Sequence, residues 1–179
     1  MSVTEGIIAN TTDVHTYSTI CCFVAGTLVM TDQGAVAIEQ LNECIHTIRN
    51  KPIVGITRNI TPDKFLICIE KGSLYLNTPS EDTIMTTSHK VLYRGCLTNA
   101  GDLKLPGVKH VQYHKETLYN VLMESYNIMS VNNMVVETLH PDNLLAKLYR
   151  ASKTRSLEER NSLVNEKTIE YIRAVALKA

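Results

Sequence analysis

The sequence predicts a mainly β fold with a helical appendage at its C-terminus. From residue 27 to about residue 135 the chain consists of short runs rich in Val, Ile, Thr and Tyr, separated by turn residues, which is typical of many short strands. Hydrophobic residues form 44% of the 179 residues and charged residues 20%, so we expect one folded domain with a short extension. Helical patterns begin only after His140.

A hairpin is the first element that we expect in the β region. Leu28–Thr31 precedes the turn Asp32-Gln33-Gly34, and Val36 and Ile38 then alternate with other residues along the second strand. Further strands are predicted at residues 53–56, 65–70, 83–85, 90–93, 117–124, 127–131 and 134–138, with Asn132-Asn133 as the turn between the last two.

Two helices are predicted in the tail. Pro141-Asp142 suits the first turn of a helix, and Ser156 with Glu159 has the spacing of a capping box at the start of the second. In both predicted helices mostly apolar side chains repeat at helical spacing and would lie on one face. They are Leu144, Leu145, Leu148 and Tyr149 in the first helix and Val164, Thr168, Ile172 and Val175 in the second.

Charge and composition narrow the function classes. Eighteen basic and eighteen acidic side chains give a formal net charge of +0, so no global field attracts nucleic acid or an anionic membrane. The longest nearly apolar run, residues 20–30, is too short to cross a bilayer, and residues 1–19 lack the basic start of a secretory signal. We therefore expect an intracellular protein without nucleic-acid or membrane partners.

Cysteine and histidine usage predicts free thiols and no metal. The five cysteines are odd in number and include no C-x-x-C motif, which fits a reducing compartment. His110 and His114 are four residues apart, yet the neighbouring pattern indicates a strand rather than the helix of a zinc site. Neither a metal nor another cofactor is expected.

Two short segments carry the side chains that acyl transfer requires. Cys22 begins the apolar run 22–29, and residues 86–89 read Thr-Thr-Ser-His, so a thiol, a hydroxyl and an imidazole are available at Cys22, Thr86 and His89. From composition alone, a cysteine in an apolar run is a buried inert residue and a histidine beside a strand is structural. The surrounding sequence decides between these interpretations.

Three sequence blocks resemble, in order, those of the Hint superfamily, to which hedgehog autoprocessing domains and inteins belong. Residues 22–34, Cys-Phe-Val-Ala-Gly-Thr-Leu-Val-Met-Thr-Asp-Gln-Gly, and 38–41 resemble its opening block. Thr86-x-x-His89, preceded by Pro79-x-x-Asp82, resembles the second, and residues 118–121 with 131–136 resemble the final strand pair. The resemblance spans about residues 22–138 and implies a horseshoe-like β fold.

The resemblance also implies a single-turnover, self-processing activity. The Cys22 thiol would attack the carbonyl carbon of Cys21 and convert the peptide bond into a thioester, an N-to-S acyl shift. His89 would protonate the departing amide nitrogen, and Thr86 would form a hydrogen bond near the same peptide. The substrate would then be the chain's own N-terminal segment.

Departures from the family pattern argue against full protein splicing. Glu137 and Thr138 occupy the positions of the terminal His-Asn pair of inteins, and neither side chain forms a succinimide. Tyr126 and Asn120 replace a histidine and an aspartate that are common in the family. Asn143 is better interpreted as a helix cap than as a displaced splice residue. We expect autocleavage, with the thioester resolved by water or by a small external nucleophile.

The sequence is accordingly divided into an upstream segment (1–21), a Hint domain (22–140) and a helical tail (141–179). Two alternatives stay open: an inactive Hint-fold module that binds a partner through the helical tail, and a cysteine peptidase that uses Cys22 and His89 on other chains. The resemblance further suggests modules attached to structural proteins of large DNA viruses or phages, which would act in the host cytoplasm.

Overall fold

The computed structural model describes residues 21–176, without the side chains of 171, 172, 175 and 176. The predicted upstream segment, apart from Cys21, and the side chains of Ile172 and Val175 lie outside the described residues. Within this range the chain forms, in order, β1 (Phe23–Val24), β2 (Leu28–Thr31), β3 (Gly34–Ala37), β4 (Thr47–Ile48), β5 (Lys51–Asn59), β6 (Phe65–Ile69), β7 (Thr83–Met85), β8 (Lys90–Tyr93), β9 (Cys96–Asn99), β10 (Val108–Gln112), β11 (Leu118–Met123), β12 (Ile128–Val131), β13 (Met134–Glu137), α1 (Leu144–Ala151) and α2 (Leu157–Ala176).

The strands form two sheets, which confirms the mainly β prediction. One sheet has the strand order β10-β6-β7-β1-β11-β5-β4, and the other has the order β3-β2-β12-β13-β8-β9. Neighbouring strands in both sheets are antiparallel. In both sheets many neighbouring strands are far apart in the sequence, so the sheets are held together by long-range strand pairing.

Turn chemistry fixes the two predicted hairpins. Gly34 follows the β2–β3 turn with φ of 113°, a conformation that a residue without Cβ adopts at little cost. Asn132 and Asn133 form the β12–β13 turn with φ of 45° and 64°, the left-handed values that asparagine tolerates better than most residues. Both hairpins therefore occur where the sequence predicts them.

The short strand β1 holds the start of the Hint-like sequence block at the centre of the first sheet. Phe23 pairs with Met85 of β7 on one side and with Tyr119 of β11 on the other. Phe23 is fully buried in the main core, which contains side chains from both sheets. As a result, Cys22 enters the fold between β7 and β11, far from either sheet edge.

The two helices pack on the β domain rather than extending away from it. Leu145, Tyr149 and Val164 are buried in a second apolar cluster that also contains Cys22 and Leu118. The backbone N–H of Ile60, just after β5, donates a hydrogen bond to the Asn165 side chain of α2 at 3.1 Å. The helical appendage is thus confirmed as an element, and its described apolar face contacts the domain itself.

Several predicted boundaries differ from the structure. Strands β1, β4 and β9 are absent from the prediction, β10 was indicated without bounds by the strand pattern at His110, and Ile38 begins a short 3-10 helix instead of ending a strand. Helix α1 begins at Leu144 rather than at the Pro141-Asp142 pair, because the side chain of Asn143 accepts a hydrogen bond from the Leu145 N–H and so acts as the N-cap. The predicted capping box is present, with Ser156 and Glu159 bonding each other's backbone N–H groups.

No helix among residues 21–176 is long and apolar enough to span a membrane.

Candidate functional site

Cys22 is a fully buried thiol directly before β1. Its Sγ donates a hydrogen bond to Oδ1 of Asn59, the last residue of β5, at 3.2 Å. Burial raises the pKa of the Cys22 thiol strongly, and the interaction with the Asn59 side chain lowers it by less. The thiol is therefore protonated at neutral pH and needs a nearby base before it can act as a nucleophile.

The peptide bond between Cys21 and Cys22 is held at both of its ends. The Nδ2 of Asn120, on β11, donates to the carbonyl oxygen of Cys21. On the other side of the bond, the N–H of Cys22 donates to Oγ1 of Thr86 at 2.9 Å, and the Thr86 N–H donates back to the Cys22 carbonyl at 2.9 Å. One amide is thus fixed between an N–H donor at its oxygen and a hydroxyl acceptor at its nitrogen.

A tight turn after β7 connects Thr86 to His89, whose N–H donates to the Thr86 carbonyl at 3.1 Å. The His89 ring is fully buried and lies 4.1 Å from the Phe23 ring, centroid to centroid. Burial lowers the pKa of His89 to about 3, while a hydrogen bond to the Glu137 backbone raises it slightly. The imidazole is consequently neutral at physiological pH.

The tautomer of His89 follows from its contacts. Nε2 lies 3.2 Å from the carbonyl oxygen of Glu137, which accepts but cannot donate, so Nε2 carries the proton in this hydrogen bond. Nδ1 is then the acceptor nitrogen, and it is buried without a hydrogen-bond partner among residues 21–176. Nδ1 is therefore the nitrogen at which His89 would take up a proton, against the burial that lowers its pKa.

Glu137 closes the site at the end of β13. Its carboxylate is 5% exposed; Oε1 accepts from the Lys90 N–H at 3.1 Å, and Oε2 accepts from the hydroxyl of Tyr126 at 2.7 Å. Burial, and next the negative charge of Glu137, raise the pKa of the Cys21 thiol well above its ordinary value, and Cys21 is itself 5% exposed. The residue before the candidate bond therefore enters a polar, enclosed pocket.

The three residues predicted from the sequence converge in one region. Thr86 bonds the backbone of Cys22, and His89 reaches the same region through the turn from Thr86 and its contact with Phe23. Among the described residues no hydrogen bond joins His89 to Cys22 directly. The roles assigned to these three residues stay predictions.

Three polar residues of the site were not predicted from the sequence. Asn59 carries no motif, and only its burial at the end of β5 distinguishes it. Asn120 and Glu137 were considered only as departures from the family pattern, although Asn120 donates to the Cys21 carbonyl and the Glu137 carbonyl bonds the His89 ring. For Asn120 and Glu137, a polar residue in a mostly apolar strand is the sequence signal that could have identified them; Asn59 has no such signal, because β5 also contains Lys51 and Arg58.

Two residues that the sequence analysis considered near the site, Asp82 and Asn143, form local hydrogen bonds instead. Oδ1 of Asp82 accepts a hydrogen bond from the Lys71 N–H at 2.8 Å, as expected for a turn-forming aspartate. Asn143 caps α1, as the capping interpretation predicts. Among residues 21–176, no group of three or more His, Cys, Asp or Glu side chains is arranged to hold a metal ion.

Comparison with known proteins gives two matches. A family model described as Hint domain matches residues 21–143. The solution structure of a bacterial intein-like domain from Clostridium thermocellum is similar to this chain, with a TM-score of 0.55 at 20% sequence identity, over 67% of this chain and 100% of that chain. No curated protein sequence matches the chain.

Proposed function

Because the chain belongs to the Hint domain family, we propose that it processes itself at the bond between Cys21 and Cys22 by an N-to-S acyl shift followed by hydrolysis. The observation that supports this most strongly is the pair of hydrogen bonds on that one peptide, from Asn120 to its oxygen and from its nitrogen to Thr86. The candidate nucleophile is the side chain of the residue that supplies the nitrogen.

In the first step, Sγ of Cys22 attacks the carbonyl carbon of Cys21 through a five-membered ring. Resonance makes a planar amide resistant to such attack, so the negative charge that develops on its oxygen has to be stabilised. The Nδ2 donor of Asn120 is directed at that oxygen in the resting structure. The carbon–nitrogen bond then breaks, and the acyl group of Cys21 is transferred to sulfur.

The proton balance of this step assigns His89 a double role. The thiol must lose its proton on attack, and the departing nitrogen of Cys22 must gain one, because an unprotonated amide nitrogen is a poor leaving group. We assign both transfers to Nδ1 of His89, which has no hydrogen-bond partner among the described residues. Burial lowers the pKa of His89 to about 3, so proton uptake is the costly step, and the imidazolium, once formed, is a strong acid toward the departing nitrogen. No proton from solvent is then required.

In the second step, a water molecule attacks the thioester carbonyl of Cys21. The carbon–sulfur bond breaks, the sulfur recovers a proton as the Cys22 thiol, and Cys21 becomes a carboxyl terminus. An external amine or alcohol would give ligation by the same route. Water is the simplest acceptor, because it requires no binding segment of its own.

Cleavage on the C-terminal side is not part of the proposal. Glu137 and Thr138 have no amide side chain to cyclise, and Thr138 is fully buried with its hydroxyl bonded to the backbone of Asn127. The next residue continues the fold, because the Leu139 N–H donates to the Val121 carbonyl at 2.9 Å. Processing should release only the segment that ends at Cys21.

The experiment compares the full chain with its Cys22→Ala variant after incubation with dithiothreitol, using intact-mass analysis. We expect wild type to release residues 1–21 and Cys22→Ala to remain uncut, because alanine has no nucleophile. Cys44→Ala is the matched control, since Cys44 is exposed and distant in sequence from the site. Its cleavage should equal that of wild type.

The same experiment separates the alternatives. A chain that stays intact with Cys22 and His89 present contradicts self-processing and leaves an inactive binding module as the better interpretation. A cleavage rate that rises with protein concentration indicates a peptidase that acts on other chains, because an intramolecular shift is first order. A rate independent of concentration supports the proposal.

A further inference from the structure

We propose that Asn59 is a further catalytic residue of the self-processing reaction: its side-chain amide accepts a hydrogen bond from the Cys22 thiol at rest and donates one to the sulfur once the thiol has lost its proton. The inference rests on the proposed function and deepens it. It concerns the charge on the sulfur, whereas Asn120 and Thr86 hold the peptide that reacts.

Strand pairing places Asn59 beside the nucleophile. Asn59 ends β5 and pairs with Leu118 of β11, which pairs in turn with Val24 of β1. Oδ1 of Asn59 lies 3.2 Å from Sγ of Cys22, and this is the one hydrogen bond of Sγ among residues 21–176. The amide therefore contacts the reacting atom itself, although the two residues are 37 positions apart in the sequence.

The amide of Asn59 is only half satisfied in the resting structure. The residue is fully buried, and its Nδ2 has no hydrogen-bond partner in the described part of the chain. Its neighbours Cys22 and Leu118 belong to the second apolar cluster, where an unpaired amide N–H costs free energy. An apolar side chain would fill this space without that cost, so packing alone does not account for an asparagine here.

The two ends of the amide suit the two charge states of the sulfur. A thiol donates to Oδ1, whereas a thiolate accepts hydrogen bonds and repels an oxygen. A half turn about the Cβ–Cγ bond of Asn59 exchanges Oδ1 and Nδ2, and it breaks only the bond to the thiol, because Nδ2 has no partner to lose. Nδ2 then donates to the thiolate, in a charge-assisted hydrogen bond that is stronger than the one it replaces.

A donor at the sulfur acts in both steps, because burial raises the pKa of the Cys22 thiol and so opposes the thiolate. In the first step the proton moves from Sγ to Nδ1 of His89, and the Asn59 amide stabilises the sulfur until its bond to the Cys21 carbon forms. In the second step the carbon–sulfur bond breaks with its electron pair on sulfur, and Nδ2 donates until the proton returns. Asn59 itself gains and loses no proton.

The first test measures first-order cleavage of the full chain carrying Asn59→Leu, with intact mass as the readout. Leucine has the same branched shape as asparagine but neither donates nor accepts, so we expect cleavage to be about 10–100-fold slower, as for the loss of a hydrogen bond to a charged group. Asn59→Val, which is smaller, should be slowed likewise if leucine is too large. Asn99→Leu is the matched control, since Asn99 also ends a strand and its amide bonds the exposed Asp102 side chain. Equal rates in the three variants would overturn the inference.

Asn59→Asp separates donation to the thiolate from simple positioning of the thiol. A carboxylate accepts from the thiol as Oδ1 does, but it has no N–H group, and its negative charge opposes a second one on the sulfur. We expect this variant to cleave at least as slowly as Asn59→Leu. Cleavage as fast as wild type would show that an acceptor or a base suffices beside Cys22, and would contradict the donor role.

Thermal unfolding distinguishes a catalytic amide from a structural one. In the uncleavable Cys22→Ala background the Asn59 amide has lost its partner, so Asn59→Leu or Asn59→Val should raise the melting temperature by about 2–4 °C. Variants that cleave slowly and yet melt higher would not result from structural damage. A lower melting temperature with both variants would show that the amide maintains the fold, and would contradict the inference.

Alkylation by iodoacetamide tests the effect on the thiolate without cleavage. Only the thiolate reacts, so peptide mapping should show Cys22 modified about tenfold more slowly, or less, in Asn59→Leu and Asn59→Asp. The rate is taken relative to that of the buried Cys68, which reports general opening of the domain. If wild type stays uncut while this difference is found, only the proposed function is contradicted. An equal ratio of Cys22 to Cys68 modification in all chains would overturn the role of Asn59, whether or not the chain cleaves.

Discussion

Asn120 is the residue whose contact is most directly tied to the transition state. Its Nδ2 donates to the Cys21 carbonyl, while its Oδ1 accepts from the Val121 N–H at 2.7 Å, which fixes the direction of the amide. Asn120→Ala removes the only identified side-chain donor at that oxygen among the described residues. We expect cleavage to slow about 10²–10³-fold, the usual cost of losing an oxyanion donor.

First-order cleavage followed by intact mass measures this effect. Asn99→Ala is a suitable control because the Asn99 amide bonds only the exposed Asp102 side chain at 2.8 Å. An Asn120→Ala chain that cleaves as fast as the control would show that the oxyanion is stabilised elsewhere.

The burial of His89 should make the stability of the protein depend on pH. Between its ordinary pKa near 6.5 and the folded value of about 3, the unfolded chain binds a proton at this residue and the folded chain does not. Stability attributable to His89 is therefore complete above pH 6.5 and is lost as the pH falls toward 3, by at most about 1.4 kcal/mol per pH unit.

Urea unfolding between pH 7.5 and 4 checks this prediction in the uncleavable Cys22→Ala background. The loss of unfolding free energy on acidification should be smaller in a chain that also carries His89→Gln, because glutamine does not titrate. The other titratable groups are common to both chains and cancel in the difference. Identical pH profiles would mean that His89 is not held neutral by burial.

The residues of the site divide according to how they could be found. Cys22, Thr86 and His89 fall in two short sequence blocks that were singled out by their resemblance to the Hint family, and the Thr86-x-x-His89 spacing corresponds to one tight turn. Asn120 reaches Cys21 across 99 positions of sequence. Only the pairing of β1 with β11 brings these two residues together, and no local pattern contains that information.

At the scale of elements, the contact between β5 and α1 depends on Gly55. A Cβ at this position would lie 2.7 Å from the Tyr149 hydroxyl oxygen and slightly closer to the ring. Tyr149 is 3% exposed and also contacts the guanidinium of Arg160, 4.6 Å from its ring centroid. Gly55→Ala should therefore destabilise the protein by about 1–3 kcal/mol, the range for overpacking a core.

A double-mutant cycle with Tyr149→Ala separates overpacking from a change in strand propensity. If the clash with the ring is the cause, Gly55→Ala should cost much less in the Tyr149→Ala background, measured by urea unfolding. An equal cost in both backgrounds would show that α1 does not rest against this face of β5.

Prediction of elements succeeded where the local signal is strong. Strands β7 and β8 occur with the bounds expected from the sequence, and the Ser156–Glu159 box marks the start of α2. Strands β1 and β4 have two residues each, too few for a detectable alternation. Strand β10 carries Lys, His and Gln among its five residues and lies at a sheet edge, so the sequence indicated a strand at His110 but not its bounds.

At the scale of the whole molecule, the site requires both sheets at once. Cys22, Asn59 and Asn120 belong to the first sheet or its strand ends, whereas Glu137 ends a strand of the second and His89 directly precedes one. The arrangement of these sheets could not be obtained from periodicity. It came from the resemblance of three ordered blocks to a known family, and the match over residues 21–143 confirms that family.

The central claim is that an acyl group moves from the nitrogen of Cys22 to its sulfur, and trapping that group tests it most directly. Full-length chain is incubated with hydroxylamine, and the released fragment is sequenced by mass spectrometry. A thioester at Cys21 predicts a fragment 1–21 that ends in a hydroxamate, absent from Cys22→Ala. A wild-type chain that releases no such fragment, or releases it equally from Cys22→Ala, would contradict the account.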